Sequence, residues 1–365
     1  DFSNAIAVDS TGNIYITGFT DNTSEGNFDS WLAKYDTNGT QLWKTQLGID
    51  YDNFSYSVDV DDTGNTYITG YYDNGNDYDT LIAKYDSNGN LLWNDSLDYY
   101  GEDEYSYDVI VDNNQNTFYS IGITKNIDDV GTIPYAWISK HDINDGSKEW
   151  AIKVSAPAED IAINMSDNGN IYVAGYFNSL FGENNTESGW IAEYDSDGDE
   201  LYINGVDTDS FSILTDIDVD DDGNAYVTGI NDENDAIVYK YDSNGEEDWS
   251  NRPDVTDYIT GDNFTSHVAL NDNGDVYLMG RTEGTSEYNN VGNQNDWILK
   301  YDNSGSLIWT QELDIPDENV VNDITVNGTG NIFMTGEFEN FSDTNNFEGV
   351  DAFVTKLSEP EVENF

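Results

Sequence analysis

Apolar and polar residues alternate along this chain in short runs of about five to eight residues, the period of half-buried strands. AIAVD (Ala5 to Asp9), NIYITG (Asn13 to Gly18) and DSWLAKYD (Asp29 to Asp36) show the pattern. They are rich in β-branched and aromatic types and are bounded by Gly, Asn and Asp, which supply the positive φ and side-chain hydrogen bonds of tight turns. No stretch sustains a helical period, so the chain reads as all-β.

The runs recur in phase. AVDSTGNIYITG near the N-terminus returns as VDVDDTGNTYITG, INMSDNGNIYVAG, DVDDDGNAYVTG, ALNDNGDVYLMG and ITVNGTGNIFMTG. The closing glycines, Gly18, Gly70, Gly122, Gly175, Gly229, Gly280 and Gly336, lie about 53 residues apart, a period that marks a repeat architecture. Each unit holds four β-type runs, and the fourth run of the first unit ends at Trp43. Four-stranded antiparallel units repeated seven times predict a seven-bladed β-propeller. The units fall at about 1–51, 52–103, 104–157, 158–211, 212–261, 262–317 and 318–358, one domain over 1–358, followed by an acidic tail or linker at 359–365. The seventh unit completes its third run at Ala352 to Ser358 and lacks a fourth run ending in Trp; SEPEVENF, with Pro360, is a poor substitute.

The pattern A-[IV]-x-V-D-x-x-G-N-x-Y-[IV]-T-G, then D-x-[WF]-[LIV]-x-K-Y-D-x-[ND]-G, then L-x-W, resembles the bacterial SBBP propeller repeat over nearly the whole chain. The resemblance implies a β-propeller in a secreted or surface protein. It implies no activity, because one architecture hosts unrelated functions.

The repeat accounts for several residues that would otherwise suggest chemistry. All nine Trp fall on repeat positions, Trp31, Trp137, Trp190 and Trp297 on third strands and Trp43, Trp93, Trp150, Trp249 and Trp309 on fourth strands. Residues repeated once per blade are read as packing rather than as a sugar-stacking site. Lys34, Lys84, Lys140, Lys240, Lys300 and Lys356 share one third-strand position and are expected to partner carboxylates across strands. The fourth unit breaks that rule with Glu193, and the fifth carries Asp218 where other units have Ala7, Ile110, Ala269 or Thr325.

Charge narrows the partners. Seventy-three acidic and twelve basic residues leave a formal charge of −61, which repels nucleic acid and anionic membranes and favours saline surroundings that screen it. No apolar run reaches the length of a membrane helix, so no membrane insertion is expected. There is no Cys, hence no disulfide. The chain opens at Asp1 in mid-repeat and reads as a portion of a longer product, extracellular or on the cell surface.

Asp218, Asp220 and Asp222 place three carboxylates on alternate residues about the turn at Gly223, a donor set that suits calcium. Asp59 with Asp61, and Glu193 with Asp195 and Asp197, are weaker versions. The competing reading gives Asp220 and its equivalent Asp61 a turn-starting role. His141 and His267 are read as structural, and no nucleophile elbow, phosphate loop or dinucleotide fingerprint is present.

The second-to-third strand loops vary in length, from INDEN in unit five to RTEGTSEYNNVGNQ and EFENFSDTNNFEGV in units six and seven. Such loops on a rigid scaffold suit a protein or glycan partner. The expected function is a noncatalytic scaffold, adhesion or assembly module, with self-assembly through the incomplete blade. The alternative is a carbohydrate-active enzyme with its site at the mouth of the central channel.

Overall fold

A computed structural model describes residues 1–22, 27–49, 51–99, 101–125, 134–158, 160–178, 187–206, 212–231, 235–253, 261–284, 294–313, 320–328, 330–339 and 350–359. The described strands form seven separate antiparallel sheets, six of four strands and one of three, each in sequential order. Blade one is Phe2–Val8, Ile14–Asn22, Asn27–Tyr35 and Gln41–Gln46. The three-stranded sheet is blade seven, Val320–Val326, Ile332–Glu339 and Val350–Leu357. There is no helix among the described residues, and none long and apolar enough to cross a membrane.

The repeated turn chemistry folds as the residues dictate. In the first hairpin of blade one, Asp9 Oδ1 accepts the Thr11 and Asn13 amides at 3.0 and 2.9 Å, and Gly12 takes φ +84°. The closing glycine of the repeat has a different role. A Cβ on Gly18 or Gly70 would overlap the carbonyl oxygen of Phe2 or Phe54, because a bulge in the first strand, between Ser3 and Ala5 or between Ser55 and Ser57, presses backbone against the second strand.

Blades are joined by interleaved apolar faces and by hydrogen bonds between blades. One core cluster combines Ile121, Ile123 and Ile138 of blade three with Ile161, Ile171 and Val173 of blade four. The glycine carbonyl accepts the hydroxyl of the following blade, as Ser55 Oγ to Gly18 O at 2.6 Å shows. The same bond closes the ring, from Ser3 Oγ of blade one to Gly336 O of blade seven at 2.8 Å.

Fourth-strand aromatics form a second, outer joint. The Trp43 ring lies beneath the blade-two turn, where a Cβ on Gly89 would meet it at 2.7 Å, and its indole N–H donates to Ser87 O at 3.1 Å. Of the third-strand lysines, Lys34, Lys84, Lys140, Lys240 and Lys300 are buried, whereas Lys356 is exposed. Lys34 and Lys84 stand 4.7 and 4.9 Å from the ring centres of Tyr15 and Tyr67, and Lys84 and Lys140 donate to carbonyls of the next blade at 2.8 and 3.0 Å. Carboxylate partners are present for some, Asp275 for Lys300 at 2.8 Å and Asp248 for Lys240 at 3.4 Å. The site is thus a cation–π and carbonyl pocket first, because a buried ammonium needs several acceptors and a ring face supplies one at low desolvation cost.

Candidate functional site: the axial channel

The first strands of the seven blades surround a central cavity of about 250 Å³. Strand alternation turns two residues of each first strand toward it, so the channel is built in two tiers. One tier holds Ser57, Asp108, Asp216, His267 and Asp323, and the other holds Asp59, Asn164, Asp218 and Thr325; each tier is one position of the repeat. Ala5, Ala162, Ala7, Ile110 and Ala269 complete them.

Every described channel aspartate reaches across a blade boundary. Asp59 accepts the Val60 amide and, from blade three, the Val111 amide, both at 2.7 Å. Asp108 accepts Ser57 Oγ at 2.6 Å, Val109 N at 2.8 Å and Ile163 N at 3.2 Å. Asp216 reaches Val268 N at 2.9 Å and Asp323 reaches Ile6 N at 2.9 Å, the latter across the ring closure. Asp218 binds Val219 N at 2.8 Å, Asn164 Nδ2 at 2.7 Å and Leu270 N at 2.7 Å. A carboxylate that accepts amides from two strands clamps them in register.

Burial weakens the acidity of these clamps. It pushes Asp59 and Asp218 up to about 7, against the amide hydrogen bonds that favour the ionised form, and Asp108 to about 6. Asp323 rises to about 7 for the same reason, opposed by His267. His267 Nδ1 lies 3.6 Å from Asp216 and 3.4 Å from Asp323. Burial pulls the imidazole down, but the Asp216 hydrogen bond and the two carboxylate charges outweigh it and hold it at about 9.

The candidate residues from the sequence divide between this channel and the turns. Asp59 and Asp218 are channel clamps. Asp220 and Asp61 start turns. Asp220 accepts Asp222 N at 3.1 Å, Asn224 N at 2.9 Å and Tyr226 OH at 3.2 Å, and Asp61 accepts Thr63 N, Asn65 N and Tyr67 OH. Asp222 is exposed at the turn tip. Glu193 is buried between Asn170 Nδ2 at 2.6 Å and Tyr172 OH at 3.0 Å, and burial raises its pKa against those two bonds. Asp195 caps its own turn through the Asp197 and Asp199 amides at 3.0 and 2.9 Å. Among the described residues, no three acidic or imidazole side chains are grouped to hold a metal ion.

Asp108, Asp216 and Asp323 were not singled out by sequence. The signal was present as a shared repeat position, two residues before Asp59 and Asp218. His141 lies away from the channel, fully buried, stacked on Phe118 at 4.7 Å and 2.8 Å from Ser139 Oγ; burial lowers it to about 4. Most of the second-to-third loops of blades five, six and seven lies outside the described residues.

Among the buried acids outside the channel, Glu104 differs in its bonding. Glu104 in blade three has no exposed surface and occupies the register position of Asn53 in blade two, which accepts Ser30 N at 2.8 Å and donates to Tyr51 O at 3.0 Å. Neither Glu104 oxygen has a well-formed hydrogen bond. Burial first, then the charge of Asp98, pushes Glu104 up to about 8, against the nearby Glu102 and Tyr99 amides. A second cavity, of about 480 Å³, lies between blades one and two against Tyr51, Tyr72 and Leu81.

No family model matches the chain, so the SBBP resemblance rests on its residue pattern alone. A search of curated proteins finds no match. Among solved structures, the quinohemoprotein alcohol dehydrogenase of Comamonas testosteroni superposes with a TM-score of 0.52 at 12% identity, over 92% of this chain and 65% of that one. A puromycin hydrolase superposes with a TM-score of 0.58 at 10% identity, over 93% and 50%. The chain therefore spans less than two-thirds of either protein. Identities this low carry the fold and nothing of the activity. Sheet order, ring closure and these likenesses agree that the chain is a seven-bladed β-propeller.

Proposed function

We propose that this propeller is a noncatalytic scaffold of a secreted or cell-surface protein, an adhesion or assembly module that presents its long-loop face to a protein or glycan partner. One observation carries the reading. The channel mouth is where a propeller enzyme would be expected to work, and each channel aspartate there already binds backbone amides that hold neighbouring blades together. A general acid or nucleophile must instead be free to meet substrate.

The alternative, a carbohydrate-active enzyme at the channel mouth, is favoured by the His267, Asp216 and Asp323 group, which couples an imidazolium to two carboxylates. A broad panel of polysaccharides incubated with the wild-type chain separates the readings. The expected result is no release of reducing ends. Cleavage that is lost in a folded His267→Gln variant would overturn the scaffold reading.

A further inference from the structure

The cavity of about 480 Å³ between blades one and two lies where the repeat elsewhere places an indole ring. The third-strand residue paired with the closing glycine is Trp31, Trp137, Trp190 and Trp297 in blades one, three, four and six, but Leu81 in blade two. Blade three shows how the position is filled. The Trp137 ring packs at 4.7 Å on Tyr99, which arrives on the connection from blade two. On the connection from blade one the corresponding residue is Ile49, since Tyr99 follows Ser96 and Ile49 follows Gln46 by three positions, and those two pair with Leu81 and Trp31. Two rings are thus replaced by two aliphatic chains, and Ile49 and Leu81 both line the cavity.

The remaining walls suit a ring that comes from outside. Tyr72 lines the cavity where blades one and three carry Thr20 and Thr124. Tyr51, 48% exposed, forms the outer wall and is fixed there: Asn53 Nδ2 donates to its carbonyl at 3.0 Å, and its ring lies 3.5 Å from where a Cβ on Gly75 would stand. Gly75 belongs to the second-to-third loop of blade two, so the cavity sits on the long-loop face. Asn94 and Ser96 share the face of Leu81, because Ser96 pairs with it and Asn94 is two residues away. Both are exposed polar side chains. In blade one the Asn94 position is Lys44, whose Nζ stands 4.5 Å over the Trp31 ring. The described lining of the cavity holds no basic residue and one acid, Asp95.

We infer that this cavity is an anchor pocket for the tryptophan side chain of a cationic polypeptide partner, the indole seating against Leu81 as Trp137 seats in blade three. The size is that of a ligand pocket, and a desolvated Trp is a common anchor of protein interfaces. Charge selects the rest of the partner. A chain of −61 attracts a basic segment and repels a second copy of itself, and with Asn94 in place of Lys44 no lysine at that position opposes the incoming charge. Apart from the two tyrosine hydroxyls, the polar side chains come from one wall, Asn94 to Ser96, which suits a single indole N–H better than hydroxyls spread around a sugar ring. The inference rests on the scaffold reading and supplies the chemistry of its partner. Its failure would leave the polysaccharide assay unaffected, and release of reducing ends in that assay would not alter the binding measured below.

The test titrates two fluorescein-labelled peptides, GKGWKGK and the same peptide with its Trp replaced by Ala, with the whole chain and follows anisotropy. Physiological salt limits the reach of exposed charges to about 8 Å, and the Ala peptide measures what attraction remains. The wild type should bind the Trp peptide at least tenfold more tightly. Leu81→Trp gives blade two the residue of its siblings and fills the cavity; it should melt higher than the wild type and bind both peptides alike. Tyr51→Ala, at an exposed wall, should weaken the Trp peptide at least fivefold and leave the Ala peptide unchanged. No binding, equal binding of the two peptides to the wild type, or a Trp preference that survives both substitutions would overturn the inference. In saturation-transfer NMR, contact with methyl glucoside that Leu81→Trp abolishes, without any preference for the Trp peptide, would assign the cavity to a sugar and also overturn it.

Discussion

Glu104→Gln should stabilise this protein at neutral pH, although it adds no contact to the folded core. Glu104 is fully buried without a well-formed hydrogen bond, and its pKa is pushed up from about 4.5 to about 8. An acid whose folded pKa lies above its unfolded one is protonated in both states below pH 4.5. Between 4.5 and 8 the unfolded chain ionises while the folded one does not, so stability falls with rising pH. At about 1.4 kcal/mol per pH unit, the cost reaches about 3 kcal/mol at pH 7. Gln keeps the shape and cannot ionise. With an unfolding entropy of about 2.1 cal/mol/K per residue over 365 residues, relief of that cost raises the melting temperature by about 4 °C. Thermal scans by circular dichroism at pH 4, 7 and 8 would show a difference that is small at pH 4 and grows with pH. A gain of equal size at every pH, or a loss at pH 8, would refute the reasoning.

The channel acts in the same direction. Asp59, Asp108, Asp218 and Asp323, held up at about 6 to 7, cost stability as pH rises from about 4. His267, raised to about 9, stabilises fully below about 6.5 and loses that contribution as pH climbs through 9. Melting should therefore be higher at pH 5 than at pH 8, and a maximum at or above pH 8 would contradict this account. Gly70→Ala drives a Cβ into the Phe54 carbonyl and should cost about 3 kcal/mol or more, read as a lower urea midpoint; an unchanged midpoint would show that the bulge relaxes freely. At the blade-five turn, Asp220 is saturated by its own hairpin. Millimolar calcium should thus raise the melting temperature over EDTA equally in wild type and Asp222→Ala, whereas a gain abolished by Asp222→Ala would place an ion there.

By itself the sequence determined the strands, the hairpin turns, the count of seven units and the lack of a fourth-run Trp in the last. These are legible because each depends on neighbours within about ten residues: alternation sets the strand, Asp with Gly at fixed offsets sets the turn, and recurrence sets the number. It also determined that the tryptophans pack, since one ring per repeat position has a structural purpose. What the channel aspartates do was decided only by tertiary structure. Asp218 and Asp220 are two residues apart, yet one clamps Leu270 of the next blade and the other closes its own turn. Asp216, His267 and Asp323 are about fifty residues apart in sequence and meet only when successive blades pack around the axis.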